Sequence, residues 1–340
     1  MRAIQISRYG DASVLELKET AAPKEGPDDV LISVRAAAIN PVDTKIRGGS
    51  QRAAIRLEFP AILGMDLAGD VLAVGANVKG FSVGDRVFGS PSHKRMGSYA
   101  EVASVKASEL AKMPTSSSYV EAASLPLAVL TAWDSLVRYG KVKKGMRVLI
   151  QAGAGGVGSL AIQLAKHFGA KVYATSSARN LEFLRELGTD VPIDYAKEQY
   201  DDVANGCDLV VDSLGPEHFE RHLAMLKRGG TFIALTVGIP EAVKKHGPLL
   251  GLVVAFANVA YFLVKARITK GVRFYPIARK PDGNVLAQIA KLVDDGEVRP
   301  IIDKVLPMSE VREAHRISEE GRSRGKVVLE MATSAPSQST

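Results

Sequence analysis

Val148–Lys166 reads VLIQAGAGGVGSLAIQLAK: a strand, a glycine turn and a helix in immediate succession. Val148–Gln151 is a short apolar run of the kind that forms a buried parallel strand. Gly153-Ala-Gly155-Gly156-Val157-Gly158 follows at once as G-x-G-x-x-G. Ser159–Lys166 then sets Leu160, Ile162, Leu164 and Ala165 at helical spacing. This context separates a dinucleotide fingerprint from an ordinary flexible turn. Gly153 permits the tight turn, Gly155 lets a pyrophosphate approach the backbone, and Gly158 lets helix and strand pack closely. The helix start offers free N–H groups to that pyrophosphate, which makes Gly153, Gly155, Gly156, Val157 and Gly158 cofactor-binding candidates. The plain alternative is a glycine-rich turn that binds nothing, and the next strand weighs against it.

That strand is Lys171–Thr175, KVYAT, and it runs into Ser176-Ser177-Ala-Arg179-Asn180. An NAD site wants an acid here, about 20 residues past the turn, for the ribose 2′-hydroxyl. No acid is present. Two hydroxyls and an arginine suit a 2′-phosphate instead, through charge-assisted and neutral donors. The reading is NADP(H), with Ser176, Ser177 and Arg179 as its ligands. The alternative is that the two serines only cap the helix beginning near Arg179. Tyr195, after the short strand Val191–Ile193, either adds to the phosphate site or is a surface tyrosine.

The 340 residues suit two domains, each large enough to bury a core. Hydrophobic residues make 46% and charged residues 24%, as in ordinary soluble globular proteins. A net charge of +7 raises nucleic acid as a partner, but the charges are scattered. The densest clusters, Lys141–Lys144 and Arg322–Lys326, are short, and only 6% of residues are aromatic. Nucleic acid is therefore not expected, and the basic balance suits an anionic cofactor. The single cysteine, Cys207, excludes an internal disulfide framework and sits at the start of a buried strand. The chain opens on a strand, MRAIQIS, with no signal peptide, so a cytoplasmic protein is expected.

Residues 1–122 read as β-rich, with strands at 2–6, 29–37, 68–74, 85–88 and 99–104 punctuated by glycine and proline turns. Residues 118–139 are helical, with Pro126 as a break. From Arg147 strands alternate with helices: 147–151, 171–175, 190–193, 208–213, 230–235 and 272–277. That alternation is a doubly wound parallel sheet. A further amphipathic helix covers 284–293, and strands return at 300–305 and 325–330. The tail 332–340 is rich in Ser, Thr and Pro and reads as disorder. Leu249–Val264, LLGLVVAFANVAYFLV, is sixteen uncharged residues between lysines. A span needs about 20, so a membrane-spanning helix is rejected. A buried helix at a dimer or domain interface, a lid over a lipophilic pocket and a foot on a membrane surface remain open.

Several strings together resemble the medium-chain dehydrogenase/reductase superfamily. They are Ala38-Ile-Asn40-Pro41-Val-Asp43, Gly64-Met65-Asp66-Leu-Ala-Gly69, Val83-Gly84-Asp85-Arg86-Val87, Gly97-Ser-Tyr99-Ala-Glu101, the glycine turn, and Gly321-Arg322-Ser-Arg324-Gly325-Lys326-Val-Val-Leu329. The zinc alcohol dehydrogenases of that superfamily carry G-H-E-x-x-G, with the histidine on zinc. This chain has Met65 there, Asn40 where the first zinc cysteine stands, and no cysteine-rich lobe. Zinc requires Cys, His or carboxylate ligands, and the six histidines (His93, His167, His218, His222, His246 and His315) show no zinc spacing. No metal site is expected. The chain thus resembles the zinc-free quinone oxidoreductase branch, especially enone-reducing members with N-P-V-D and A-T-S-S-x-R-N strings.

The resemblance implies an α/β fold: a groES-like β-rich catalytic domain (1–122 with 297–340) plus a Rossmann doubly wound parallel sheet (123–296), with a cleft between them. It implies NADPH-dependent reduction of lipophilic quinones or α,β-unsaturated carbonyls by a homodimer. Carried over residue by residue, it places Asn40 and Thr131 at the nicotinamide. Ser177, Arg179 and Tyr195 fall at the 2′-phosphate, Leu214 and Gly215 by the adenosine, and Thr236, Val237 and Gly238 near the nicotinamide. Arg324 and Lys326 close on the cofactor. Asn40 and Lys45 are the catalytic candidates. Asn40 has a plainer reading as the cap of the helix starting at Pro41, and Asp43 reads as structural. Without a Lewis acid, charge developing on the acceptor oxygen needs hydrogen-bond donors; no general acid stands out, and the proton is expected from water. Two other functions fit less well: an NADP-dependent alcohol dehydrogenase, which lacks its zinc ligands here, and a non-enzymatic NADPH-binding sensor or scaffold. A metal assay separates the first, and steady NADPH oxidation the second.

Overall fold

The computed structural model describes residues 1–52 and 54–331, so the expected disordered tail lies outside the described residues. Contacts divide the chain into two units. The first holds Met1–Leu127, Lys280–Gly296 and the chain from Pro300 on; the second holds Ala128–Arg279 and Glu297–Arg299. In chain order the first unit contributes β1 (Arg2–Ile6), β2 (Glu16–Glu19), β3 (Asp29–Ala38), β4 (Ala61–Ile62), β5 (Leu67–Val74), β6 (Arg86–Gly89), β7 (Val102–Lys106) and β8 (Leu110–Lys112). The second contributes β9 (Arg147–Ile150), β10 (Lys171–Ser176), β11 (Val191–Asp194), β12 (Cys207–Asp212), β13 (Leu226–Ala234) and β14 (Arg273–Pro276). The chain then returns to the first unit with β15 (Ile302–Pro307) and β16 (Lys326–Glu330).

β3 organises the first unit. Its sequence DVLISVRAAA sets β-branched Val30, Ile32 and Val34 at every second position, the pattern of a strand packed on one face. Val30, Ile32 and Val34 join Ile4, Ile6, Met65, Val71 and Leu329 in one core. Among the described residues the main sheet runs β15-β16-β3-β5-β6-β8, with β7 also on β3, and a small sheet runs β2-β1-β4. β3 is antiparallel to both β5 and β16, with Ala37 opposite Leu67 and Ala38 opposite Val328. The end of β3 therefore lies beside the starts of β5 and β16. That register brings residues far apart in sequence to one place.

In the second unit the alternation expected from sequence is present. Among the described residues its sheet runs β11-β10-β9-β12-β13-β14, with every pairing parallel. The order reverses between β9 and β12, the switch point at whose carboxyl edge such sheets bind ligands. The helix Gly283–Asp294, expected in this unit, belongs to the first. Asp294 Oδ1 accepts hydrogen bonds from Ser116 N at 2.9 Å, Ser116 Oγ at 2.9 Å and Thr115 Oγ1 at 3.0 Å. Conversely, Gln163 ties Arg299 to the second unit by bonds to its backbone N–H and carbonyl.

The apolar segment Leu249–Val264 extends beyond its sequence-read bounds. It is part of a 23-residue helix, Pro248–Lys270, and not a mostly buried one: Leu249 is 83% exposed, Val253 64% and Phe256 62%. The helix is long and apolar enough to cross a membrane by length and composition. One edge is anchored: Phe262 stacks on Phe219 at 4.1 Å, within a cluster that includes Phe232 and Phe274.

Candidate functional site

The glycine turn lies at the carboxyl end of β9. The turn's left-handed residue is Ala152, at φ +51°, rather than Gly153. Gly153 is required for packing: a Cβ there would lie 3.0 Å from both Ala174 Cβ and Leu184 Cδ2. At Gly158 a Cβ would sit 2.4 Å from the Ala152 carbonyl, so this glycine lets the helix close on the strand turn as expected. At Gly155 the nearest atom would be 3.4 Å away, which leaves its outer side open. The helix Gly156–His167 begins here without a side-chain cap, and Gly155, Gly156 and Val157 are half-buried. Open backbone with uncapped N–H groups fits a pyrophosphate.

Parallel pairing sets the ends of β10 and β11 side by side, with Ser176 opposite Asp194 and Tyr195 N–H bonded to the Ser176 carbonyl at 3.2 Å. The serines then part. Ser176 is buried and accepts a bond from Asn180 Nδ2 at 3.2 Å, while Ser177 is half-buried and Arg179 and Tyr195 are exposed. Ser177, Arg179 and Tyr195 thus gather at one corner of the sheet edge, and Ser176 supports it from inside. Leu214 and Gly215 follow β12, where Leu214 N–H bonds Asp212 Oδ1 at 2.8 Å. Thr236, Val237 and Gly238 follow β13. Gly238, at φ +73°, faces Pro216 so closely that a Cβ would lie 2.8 Å from its Cγ. All these candidates occupy the same edge of the sheet. Thr131 lies in the helix Pro126–Trp133, half-buried, its carbonyl accepting from Ser135 Oγ.

A polar chain that the sequence did not suggest runs under this edge. Thr175 Oγ1 donates to Gln151 Oε1, and Gln151 Nε2 lies 2.8 Å from His222 Nε2. His222 Nδ1 is 3.6 Å from Asp212 Oδ1. Burial pushes Asp212 up to about 7 and His222 down to about 3, favouring the neutral form of each.

Asn40, Lys45, Arg324 and Lys326 belong to the first unit. Asn40 ends the β3 connection and is 1% exposed. It does more than start the helix Pro41–Arg47. Its Nδ2 donates to Asp66 Oδ2 at 2.9 Å and reaches the Ala38 carbonyl at 3.5 Å, and its Oδ1 accepts from Lys326 Nζ. Lys326 also pairs with Asp66 at 3.1 Å. Asp66 Oδ1 accepts from Leu127 N–H at 2.7 Å. Lys326, expected at the cofactor, is thus buried in a network with Asn40, whereas Arg324 is exposed and its N–H bonds Asp303. Lys45 is half-buried on the Pro41–Arg47 helix.

Asp43 lies in the same buried cluster. Its Oδ2 accepts from Asn40 N–H at 2.8 Å and Tyr99 OH at 2.9 Å, while its Oδ1 has no hydrogen-bond partner among the described residues. Burial, reinforced by the nearby Asp66 carboxylate, pushes Asp43 up to about 7. Asp66 lies inside the Gly64–Gly69 motif, where no local signal marks it as Asn40's partner; the strand register does. Among the described residues no group of three or more His, Cys, Asp or Glu side chains gathers as metal ligands would.

Two family models match: an alcohol dehydrogenase GroES-like domain over residues 26–115 and a zinc-binding dehydrogenase over residues 187–329. The chain is 38% identical to a 2-methylene-furan-3-one reductase of Solanum lycopersicum, across 97% of this chain and 79% of that protein. It is 36% identical to an NADPH-dependent alkenal/one oxidoreductase of Arabidopsis thaliana, across 97% and 79%. Among solved structures, the quinone oxidoreductase from Coxiella burnetii superposes with a TM-score of 0.85 at 32% identity, covering 97% of this chain and 99% of that one.

Proposed function

The chain belongs to the medium-chain dehydrogenase/reductase superfamily, in its quinone oxidoreductase-like branch, and on that premise we propose that it reduces lipophilic quinones or α,β-unsaturated carbonyls with NADPH. The observation that carries the reading is the sheet edge of the second unit: an open glycine turn beside a corner holding Ser177, Arg179 and Tyr195, with no acid where β10 runs out through Ser177-Ala-Arg179. When bound, the nicotinamide cofactor supplies the hydride. This chain's backbone from Gly155 to Gly158 binds the pyrophosphate, and Arg179 with Ser177 meets the 2′-phosphate. Asn40 and Lys45 are assigned to the acceptor oxygen, where donors stabilise developing charge. Asn40 reaches it by exchanging its 3.5 Å contact to Ala38, while Lys326 and Asp66 hold the amide in orientation from behind.

Zinc independence belongs to the same proposal. It is supported by Met65 and Asn40 at the ligand positions, and by the Lys326 ammonium that already bridges Asn40 and Asp66. A homodimer and a cytoplasmic location are proposed with it.

The test is NADPH consumption by the purified chain against quinones, enones and alkenals, with and without a strong zinc chelator. Steady oxidation that survives the chelator is expected. No turnover with any acceptor would leave a binding protein, and chelator-sensitive alcohol oxidation with one tight zinc per chain would make it an alcohol dehydrogenase.

A further inference from the structure

The helix Pro248–Lys270 leaves one face uncovered. Gly251, Ala255, Phe262 and Ala266 are buried on one side. Leu249, Val253, Phe256, Leu263 and Val264 are exposed, and at about 100° per residue they fall on one stripe along the opposite side. No charged residue lies between Gly247 and Val264, so the stripe stays apolar for about 24 Å at 1.5 Å per residue. A soluble monomer rarely exposes a continuous apolar surface of this kind.

The surrounding charge distinguishes its occupants. From Ala242 to Pro281 the chain has no acidic residue. Lys244, Lys245 and His246 are exposed on the short helix Ile239–His246 that precedes the stripe across Gly247, and Arg267 and Arg273 are exposed beyond Val264. Lys265 is pinned by Glu220 and Lys270 by backbone carbonyls of Ala224 and Leu226. A second copy on this face would bring the exposed bases of both copies together, with Glu241, just ahead of the segment, and Glu220, already bound to Lys265, as the acids beside the helix. A transmembrane span would pull Phe262 off Phe219 and Ala266 out of the core. An anionic bilayer surface satisfies both the stripe and its basic ends while leaving the buried face in place.

We propose that this helix lies in the plane of an anionic membrane, its stripe at the headgroup–acyl boundary and Lys244, Lys245 and Arg267 against lipid phosphates. The proposal rests on this face alone. Vesicle binding is read without turnover, so it stands or falls separately from the hydride-transfer reading.

The test is flotation of the full chain with phosphatidylcholine vesicles and with phosphatidylcholine–phosphatidylglycerol vesicles, across a salt series, with light scattering of the free protein. Binding only to the anionic vesicles, released by salt, is expected. Val253→Glu with Phe256→Glu should weaken it by about tenfold or more, and losing each of Lys244 and Lys245 to Gln by roughly fivefold. The wild-type lipid and salt series carries the test even if a variant folds poorly. Wild type that floats with neither vesicle, or glutamate variants that bind as well as wild type, would overturn the proposal. So would a dimer that Val253→Glu with Phe256→Glu splits into monomers, because a second copy would then own the face.

Discussion

Arg179 is exposed and Ser177 half-buried, so water and salt reach the corner where a 2′-phosphate would sit. A charge-assisted bond in such a place belongs at the lower end of its range, about 1.5 kcal/mol, or roughly tenfold. Arg179→Ala should therefore raise KM for NADPH about tenfold and leave that for NADH nearly unchanged. Steady-state kinetics with both cofactors checks this, and equal use of both by the wild type would show that the corner does not select. Asp43 poses the opposite situation, a carboxyl sealed from water. Its folded pKa of about 7 lies above the free value of 3.8, so the folded state holds the proton more tightly. The stabilisation from this is complete below about pH 4 and disappears as pH rises through about 7. Asp43→Asn keeps an acceptor for Asn40 N–H and Tyr99 OH but cannot ionise. Thermal melts from acid to mildly alkaline pH should show wild type losing stability relative to this variant as pH rises. Parallel curves would place the titration elsewhere. Ser177 and Arg179 could be proposed from sequence as phosphate ligands because they lie on one contiguous stretch, which Tyr195 joins through the pairing of β10 with β11. The partnership of Asn40, Asp66 and Lys326 was not, because it exists only once three strands are in register.

At the level of elements, periodicity marked the parallel strands well and helix ends less well. Hydropathy ended the apolar segment at Val264, where Lys265 begins the charges. The helix instead continues to Lys270 and stops at Gly271, whose φ of +63° supplies a left-handed cap. Backbone geometry, not polarity, sets that boundary. Composition also could not say which face of an almost uniformly apolar helix is buried; the aromatic cluster around Phe219 decides it. Phe262 fills that cluster at 8% exposure while Phe256 is 62% exposed. Phe262→Ala should cost about 3–5 kcal/mol, and Phe256→Ala about 0.5 kcal/mol or less. Urea unfolding of the two variants measures the difference; similar losses would mean that the helix packs by another face.

For the whole molecule, the two-unit plan and the return of the chain to its first unit were legible from the strand pattern. The membership of Gly283–Asp294 was not, since an amphipathic helix shows only that it packs and not on what. Here Thr115 and Ser116 claim it through Asp294. The return itself has a consequence for synthesis. β16 is an interior strand, flanked by β15 and β3, and it brings Lys326 to Asn40 and Asp66. A ribosome makes β3 early and β16 only after the entire second unit has been translated. Growing chains usually acquire structure from the amino end. In this chain the later unit holds nearly all of its own sequence at a stage when the earlier one still lacks an inner strand and the cation of its buried network. The nascent first unit must therefore wait beside a neighbour able to fold before it, with the β3 edge open to chaperones or to mispairing until the last strand emerges.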